Sequence, residues 1–212
     1  MSQTATSVDY VVVGAGAAGC VVANRLSEDG SSVLVLEAGG RDLNPLIHIP
    51  VGFTKLTTPD VNWGFETVPQ PQMNNREMWY PQGRTLGGST SINAMIYIRG
   101  NHQDYEAWEK LGNEGWGYDD VLPYFRKSEH NERFSNEYHG FGGDMSVSEQ
   151  IERNPLSSAF VRALQELDVP YNNDVNGAEQ FGVTFYDVTQ RSARRESAAT
   201  AFLRPEIGRA HV

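Results

Sequence analysis

One cysteine, Cys20, is all the thiol chemistry this chain possesses, so no intramolecular disulfide can form and no thiolate cluster can hold a metal. Histidines are few. His48, His102, His130 and His139 are scattered without the paired i, i+4 spacing that metal ligands on a helix need, so no metal site is expected. Positive charge is scarce as well: 17 Lys and Arg face 27 Asp and Glu, for a formal net charge of −10. No basic patch interleaved with aromatics offsets that balance, which argues against a nucleic-acid partner. No uninterrupted apolar run is long enough to span a bilayer, so no integral membrane segment is expected. Residues 1–7 are short and polar, without a positive region followed by an apolar stretch. A secretory signal is therefore not expected, and the location implied is cytoplasmic. Internal repeats and low-complexity tracts are also missing.

What the chain does have begins at Asp9-Tyr-Val-Val-Val-Gly-Ala-Gly-Ala-Ala-Gly19, followed by Val33-Leu-Val-Leu-Glu37. A β-branched run enters Gly14-x-Gly16-x-x-Gly19, a helical stretch follows, and a second apolar strand ends in a carboxylate. This is the pattern of a dinucleotide-binding βαβ unit. Gly14 permits the tight turn, Gly16 lets a pyrophosphate approach the backbone, and Gly19 lets the helix pack close to the sheet. The N–H groups of the first helical residues, Ala17 and Ala18 among them, then face the phosphates with the positive end of the helix dipole. Glu37 lies 18 residues beyond Gly19, where a carboxylate accepts hydrogen bonds from ribose hydroxyls, with Ala38 beside it. A carboxylate there repels a 2′-phosphate, which disfavours NADP.

A second anchor reads Gly83-Arg-Thr-Leu-Gly-Gly-Ser-Thr-Ser-Ile-Asn-Ala-Met-Ile-Tyr-Ile-Arg-Gly100. Gly87-Gly88-Ser89 permits close backbone approach and can start a helix, offering N–H groups to a second side of a pyrophosphate. Arg84 adds a permanent cation nearby. Asn93 carries both a donor and an acceptor, which suits a ring or ribitol edge that carries both.

With these motifs the chain resembles the glucose–methanol–choline (GMC) family of FAD-dependent oxidoreductases, whose first signature has this Gly-Arg-x-Leu-Gly-Gly-Ser-x-x-x-Asn form. The resemblance extends through Ala23-Asn-Arg-Leu-Ser27, Asn62-Trp63, Gly115-Trp116, Val121-Leu-Pro-Tyr-Phe125, Tyr138-His-Gly140 and Ser197-Ala-Ala-Thr-Ala-Phe-Leu-Arg-Pro205. It implies an α/β fold: a Rossmann-like FAD-binding domain with the beginning of an α+β substrate domain, incomplete in this chain. It also implies that Asn93, Ala94, Met95 and Ile96 lie beside the isoalloxazine and that Trp63 lies in a long segment near the flavin. Some choline-oxidising members attach FAD through a histidine just before the signature Asn. Ile92 stands there, so the resemblance implies FAD held non-covalently. The implied activity is oxidation of an alcohol to an aldehyde or ketone, with oxygen, a quinone or another acceptor taking the electrons. Family dehydrogenases can sit peripherally on the inner membrane. The segment from Asn93 to Gly100 looks more like choline- or alcohol-dehydrogenase-type members than like sugar oxidases. The histidine that takes the alcohol proton lies far towards the C-terminus of family members, so no catalytic residue is assigned here. FAD-containing hydroxynitrile lyases share the fold, and a non-catalytic flavin-binding module is a further alternative.

The remaining pattern suggests a strand over 8–13, a helix over 17–28 and a strand over 33–37. Residues 38–82 are too rich in Pro and Gly for long regular elements, and in the family they run across the cofactor. A helix is expected over 104–111, another from about Asp119 with Pro123 in its first turn, and a third opened by Asn154-Pro155. In the last, Leu156, Phe160, Leu164 and Leu167 form an apolar stripe assigned to the core. Gln180 to Gln190 reads as a strand. Cys20 and His139 read as structural residues. By role, the chain divides into an FAD-binding domain over 1–150, with a cofactor-covering segment at about 38–100, and the start of a substrate domain over 151–205. Residues 206–212, Glu-Ile-Gly-Arg-Ala-His-Val, back-translate to the start of a common sequencing adaptor and are expected to be a non-native tail.

Overall fold

The computed structural model describes residues 7–206 and 210–211. The chain forms two compact units, one from residues 1–95 with 194–212 and the other from residues 96–193. Compaction thus divides the chain near Met95 and again near Arg194, not near 150, because the segment from Arg194 packs with the N-terminal residues.

In the first unit, β1 (Tyr10–Val13) and β2 (Val33–Leu36) pair in parallel, Tyr10 opposite Val33 and Val13 opposite Leu36. Parallel strands need a crossover, and α1 (Ala17–Leu26) supplies it. Cys20 and Ala23 bury one side of α1, and Val33 and Val35 bury one face of β2. A π-helical turn at Ala199–Leu203 packs on α1, where Asn24 Nδ2 donates to the Phe202 carbonyl at 3.0 Å. Small side chains at Ala199 and Ala201 permit that close seating. Ala210–His211 run parallel to β2 opposite Val33 and Leu34. Residues 207–209 and 212 of the expected tail lie outside the described residues.

Residues 38–82 are broken as expected. They contain α2 (Pro45–His48), capped by Asn44, a 3₁₀ turn at Pro50–Lys55, and a hairpin of β3 (Phe65–Glu66) and β4 (Trp79–Tyr80). Ile47, Leu56 and Val61 give this segment its own small core, with Ile92 packed against it.

In the second unit, β5 (Ile96–Tyr97) pairs antiparallel with β8 (Asp187–Val188), and β6 (Glu129–Asn131) pairs in parallel with β7 (Met145–Val147). Three helices accompany them: α3 (His102–Lys110), α4 (Tyr118–Ser128) and α5 (Pro155–Gln165). α3 starts earlier than expected because Asn101 and Asp104 form a capping box. α4 starts at Tyr118, so Pro123 sits inside the helix and not in its first turn. Its missing N–H leaves one i→i−4 bond unmade. Asn154 caps α5 as the sequence suggests, its side chain accepting the Leu156 N–H at 2.9 Å. The stripe on α5 is not core here: Val161 is the buried residue, whereas Leu156, Phe160 and Leu167 are exposed. Of the strand expected over 180–190, only Asp187–Val188 and the start of Gln190–Arg191 form, and Val183 makes an isolated bridge with Tyr171.

Candidate cofactor site

The turn over residues 14–19 and the Glu37 side chain lie together at the C-terminal ends of β1 and β2. Gly14 leaves β1 at φ +92°, in the region that favours glycine, and its N–H donates to the Leu36 carbonyl at 2.7 Å. At Gly16, the N-cap of α1, nothing lies within 4 Å of where a Cβ would stand. That is open space beside the backbone, which a side chain would fill and a phosphate can use. No side chain caps Gly16, so the first N–H groups of α1 remain available to an anion. A Cβ on Gly19 would stand 1.8 Å from the Gly14 carbonyl oxygen, so Gly19 is there for the close approach of helix to turn.

The second glycine loop closes directly on this turn. Gly87 N–H donates to the Ala15 carbonyl at 2.7 Å. A Cβ on Gly88 would stand 2.8 Å from Gly16 Cα. Gly87 and Gly88 have φ of +85° and +54°, and a 3₁₀ turn over Gly88–Ser91 follows where a helix start was expected. Ser89 faces its own loop: its hydroxyl accepts the Gly83 N–H at 3.1 Å.

Glu37 ties the turn to β2. Its Oε2 accepts the Ala15 N–H and its Oε1 the Gly39 N–H, both at 2.8 Å. Glu37 also lines an open cavity of about 440 Å³ with Val35, Leu36, Gly39, Gly40, Arg41 and Leu86, a volume in the range of small-ligand pockets. Ala38, next to it, is exposed. A larger cavity of about 710 Å³ in the second unit is lined by aromatic and apolar side chains, Tyr105, Trp108 and Phe125 among them. No charged group lines it, so it does not suit a pyrophosphate.

Arg84 is engaged elsewhere than the sequence suggests. Its Nη2 donates to the Pro59 carbonyl at 2.6 Å and its guanidinium lies 5.6 Å from the Trp63 ring centroid. Its charge anchors the covering segment, and these contacts do not include the Gly87–Ser89 loop. Trp63 stacks on Phe65 with centroids 5.7 Å apart and is 44% exposed, leaving ring surface free.

Asn93 and Ala94 are exposed, whereas Met95 is buried at φ +63°, an uncommon conformation for a non-glycine residue. The Met95 N–H donates to Asn93 Oδ1 at 3.0 Å. Ile96 opens β5 of the second unit, opposite Val188. Arg195 was not foreseen. It is buried, donating from Nε to the Ile47 carbonyl at 2.7 Å and from Nη1 to Asn93 Oδ1 at 2.7 Å and the Thr90 carbonyl at 3.2 Å. Burial lowers its pKa to about 10. The only sequence signal was its place two residues before Ser197, where the resembling motif begins.

Cys20 is fully buried, with Sγ 3.2 Å from the Ala15 carbonyl oxygen. Burial pushes its thiol pKa up to about 12, which makes it a packing residue and not a nucleophile. His139 belongs to the second unit. Its Nδ1 lies 3.1 Å from Glu129 Oε1 and its Nε2 3.0 Å from Asp174, while Arg99 pairs with Glu129 at 2.9 Å. Burial disfavours the imidazolium, but the two carboxylates outweigh it and raise the His139 pKa to about 9. Such a permanently paired histidine is structural.

Known proteins resemble this chain along nearly its whole length. The GMC oxidoreductase family model matches residues 8–212. An alcohol dehydrogenase [acceptor] of Pseudomonas putida is 52% identical over 95% of this chain and 37% of its own length. An oxygen-dependent choline dehydrogenase of Rhizobium rhizogenes is 43% identical over 96% of this chain and 38% of its own. Among solved structures, an FAD-dependent oxidoreductase from Chaetomium thermophilum superposes with a TM-score of 0.87 at 29% identity, covering 96% of this chain and 37% of that one. The chain therefore spans a little over a third of the length of these relatives.

Proposed function

The chain belongs to the GMC oxidoreductases, and from that premise we propose that it is the FAD-binding part of an enzyme that oxidises an alcohol to an aldehyde or ketone. The supporting observation is the meeting of two glycine loops at Gly16 and Gly88, an arrangement in which one pyrophosphate would meet backbone from two sides. Gly14, Gly16, Ala17, Ala18, Gly19, Gly87, Gly88 and Ser89 would hold the diphosphate, Glu37 and Ala38 the adenosine ribose, and Trp63 with Asn93, Ala94, Met95 and Ile96 the flavin side. The open position at Gly16 and the uncapped start of α1 suit a diphosphate. Arg84 would act by fixing the covering segment that carries Trp63.

When bound, the flavin accepts the hydride of the carbinol carbon. This chain's part is to bind and orient it and to keep its phosphates off solvent. The proton acceptor belongs to residues beyond 205, in line with the family resemblance. With Ile92 before Asn93, FAD is held non-covalently. The substrate is a small-molecule alcohol, and oxygen, a quinone or another acceptor receives the electrons. Among the described residues no helix is long and apolar enough to cross a membrane. The reading includes a cytoplasmic location, with peripheral association at the inner membrane when the acceptor is a quinone. Residues 206–212 are read as foreign to the protein, which the codons of the gene test directly.

The protein expressed from its complete gene should purify yellow and release FAD on denaturation. Anaerobic addition of alcohols should bleach it, which a hydroxynitrile lyase or a non-catalytic module would not show. A colourless protein that takes NAD and not FAD would refute the reading.

A further inference from the structure

The orientation of the Asn93 amide is fixed from inside the protein. Arg195 has only donors and so does the Met95 N–H, and both meet Asn93 Oδ1, at 2.7 and 3.0 Å. The oxygen is therefore the inward atom, and the amide NH₂ is left on the exposed side of the residue. Arg195 is itself fixed: Nε is bound to the Ile47 carbonyl, Nη1 also to the Thr90 carbonyl, and its relative exposure is 2%. These three partners, the Ile47 and Thr90 carbonyls and the Asn93 amide oxygen, are neutral oxygens. Arg195 Nη2 is buried without a protein partner. Burying a guanidinium in such surroundings costs free energy that packing alone does not require.

We infer that Arg195 is a positioning residue that locks Asn93 as a hydrogen-bond donor toward an acceptor edge of the flavin and lends that edge a positive field. The inference rests on the FAD reading above. A carbonyl oxygen or unprotonated ring nitrogen is the chemistry that fits the NH₂ group, and a neighbouring cation favours the electron-rich reduced ring. The sequence alone left Asn93 as donor or acceptor; the two inward donors remove that choice.

Asn93→Asp separates positioning from mere structure. Asp keeps an acceptor for Arg195 and Met95 and nearly the same volume, but has no NH₂ to offer outward. In the protein expressed from its complete gene, N93D should fold with a wild-type thermal midpoint, hold FAD about tenfold more weakly, and show a shifted flavin absorption band and a lower flavin midpoint potential. Arg195→Lys keeps the charge but cannot hold the Ile47 carbonyl and Asn93 at once, so a smaller shift in the same direction is expected. N93D with wild-type FAD affinity, spectrum and potential would overturn the inference, as would R195K with all three unchanged. If R195K does not fold, N93D alone decides. A wild-type protein that binds no FAD would instead sink the FAD reading itself.

Discussion

Gly16 and Gly88 come from loops more than seventy residues apart, yet a Cβ on Gly88 would stand 2.8 Å from Gly16 Cα. The contact is backbone against backbone, which no flexible side chain can relieve. It joins the open end of α1 to the 3₁₀ turn that begins at Gly88, whose own N–H and that of Gly87 are spent on the Thr85 and Ala15 carbonyls and so hold the second loop in place against the first.

Gly88→Ala should therefore damage the site twice. The added methyl pushes on Gly16, and φ +54° costs a non-glycine residue about 1–2 kcal/mol. FAD retention should fall at least severalfold, with a lower thermal midpoint, measured by the flavin-to-protein absorbance ratio and by calorimetry. A G88A protein with full flavin content would mean that the two loops do not act together.

Glu37 offers a graded test. It accepts two backbone N–H groups, from Ala15 on one loop and Gly39 on the other. Glu37→Ala leaves both without that partner and removes the carboxylate proposed to meet the ribose. A loss of about 1.5–3 kcal/mol in FAD binding is expected, because charged hydrogen bonds are worth that much. Glu37→Gln keeps one acceptor and should fall between. Equal FAD affinity in all three proteins, by fluorescence titration, would remove Glu37 from the site.

The nucleotide turn was legible because its requirements are local: a positive φ at Gly14, open space at Gly16 and a close approach at Gly19 all fall within six residues. The role of Arg195 was not legible, since its partner Asn93 lies 102 positions away and only the fold brings them together. Arg84 shows the converse limit. Sequence proximity to the glycine loop suggested a phosphate partner, whereas the fold gives its charge to Pro59 and Trp63. Periodicity likewise revealed the apolar stripe of α5 but not whether anything in this chain covers it.

The cluster around His139 predicts a pH profile for folding. The ordinary histidine value is 6.5 and the folded value is about 9, so the stabilisation is complete below 6.5 and is lost as pH rises through about 9. Glu129 and Asp174 act in the other direction. Burial alone would raise both, but hydrogen bonds to His139 and the neighbouring Arg99 charge hold them below 4.5 and 3.8, so their contribution disappears as pH falls through the lowered values. Asp187, raised by burial despite Arg133, softens the acid limb. The thermal midpoint should decline between pH 6.5 and 9, and His139→Gln should lower it overall while flattening that decline. An H139Q protein with the wild-type slope would show that another group titrates there.

The final prediction concerns residues 1–212 expressed alone. Val13 is 83% exposed at the end of the edge strand β1, and Leu156 and Phe160 on α5 and Leu167 just after it are exposed. An unpaired edge and an apolar helix face both favour association. The chain also covers only 37% of the length of its Pseudomonas putida relative, and the reading proposed above puts the proton acceptor beyond residue 205. Without such a base, proton abstraction worth about 10²–10⁴-fold is missing. The expected protein is self-associating on gel filtration, weakly loaded with FAD, and unable to bleach its flavin with alcohols under anaerobic conditions. A monomeric, FAD-saturated preparation reduced by alcohols at rates typical of whole enzymes would show that residues 1–212 carry the base as well as the cofactor cradle.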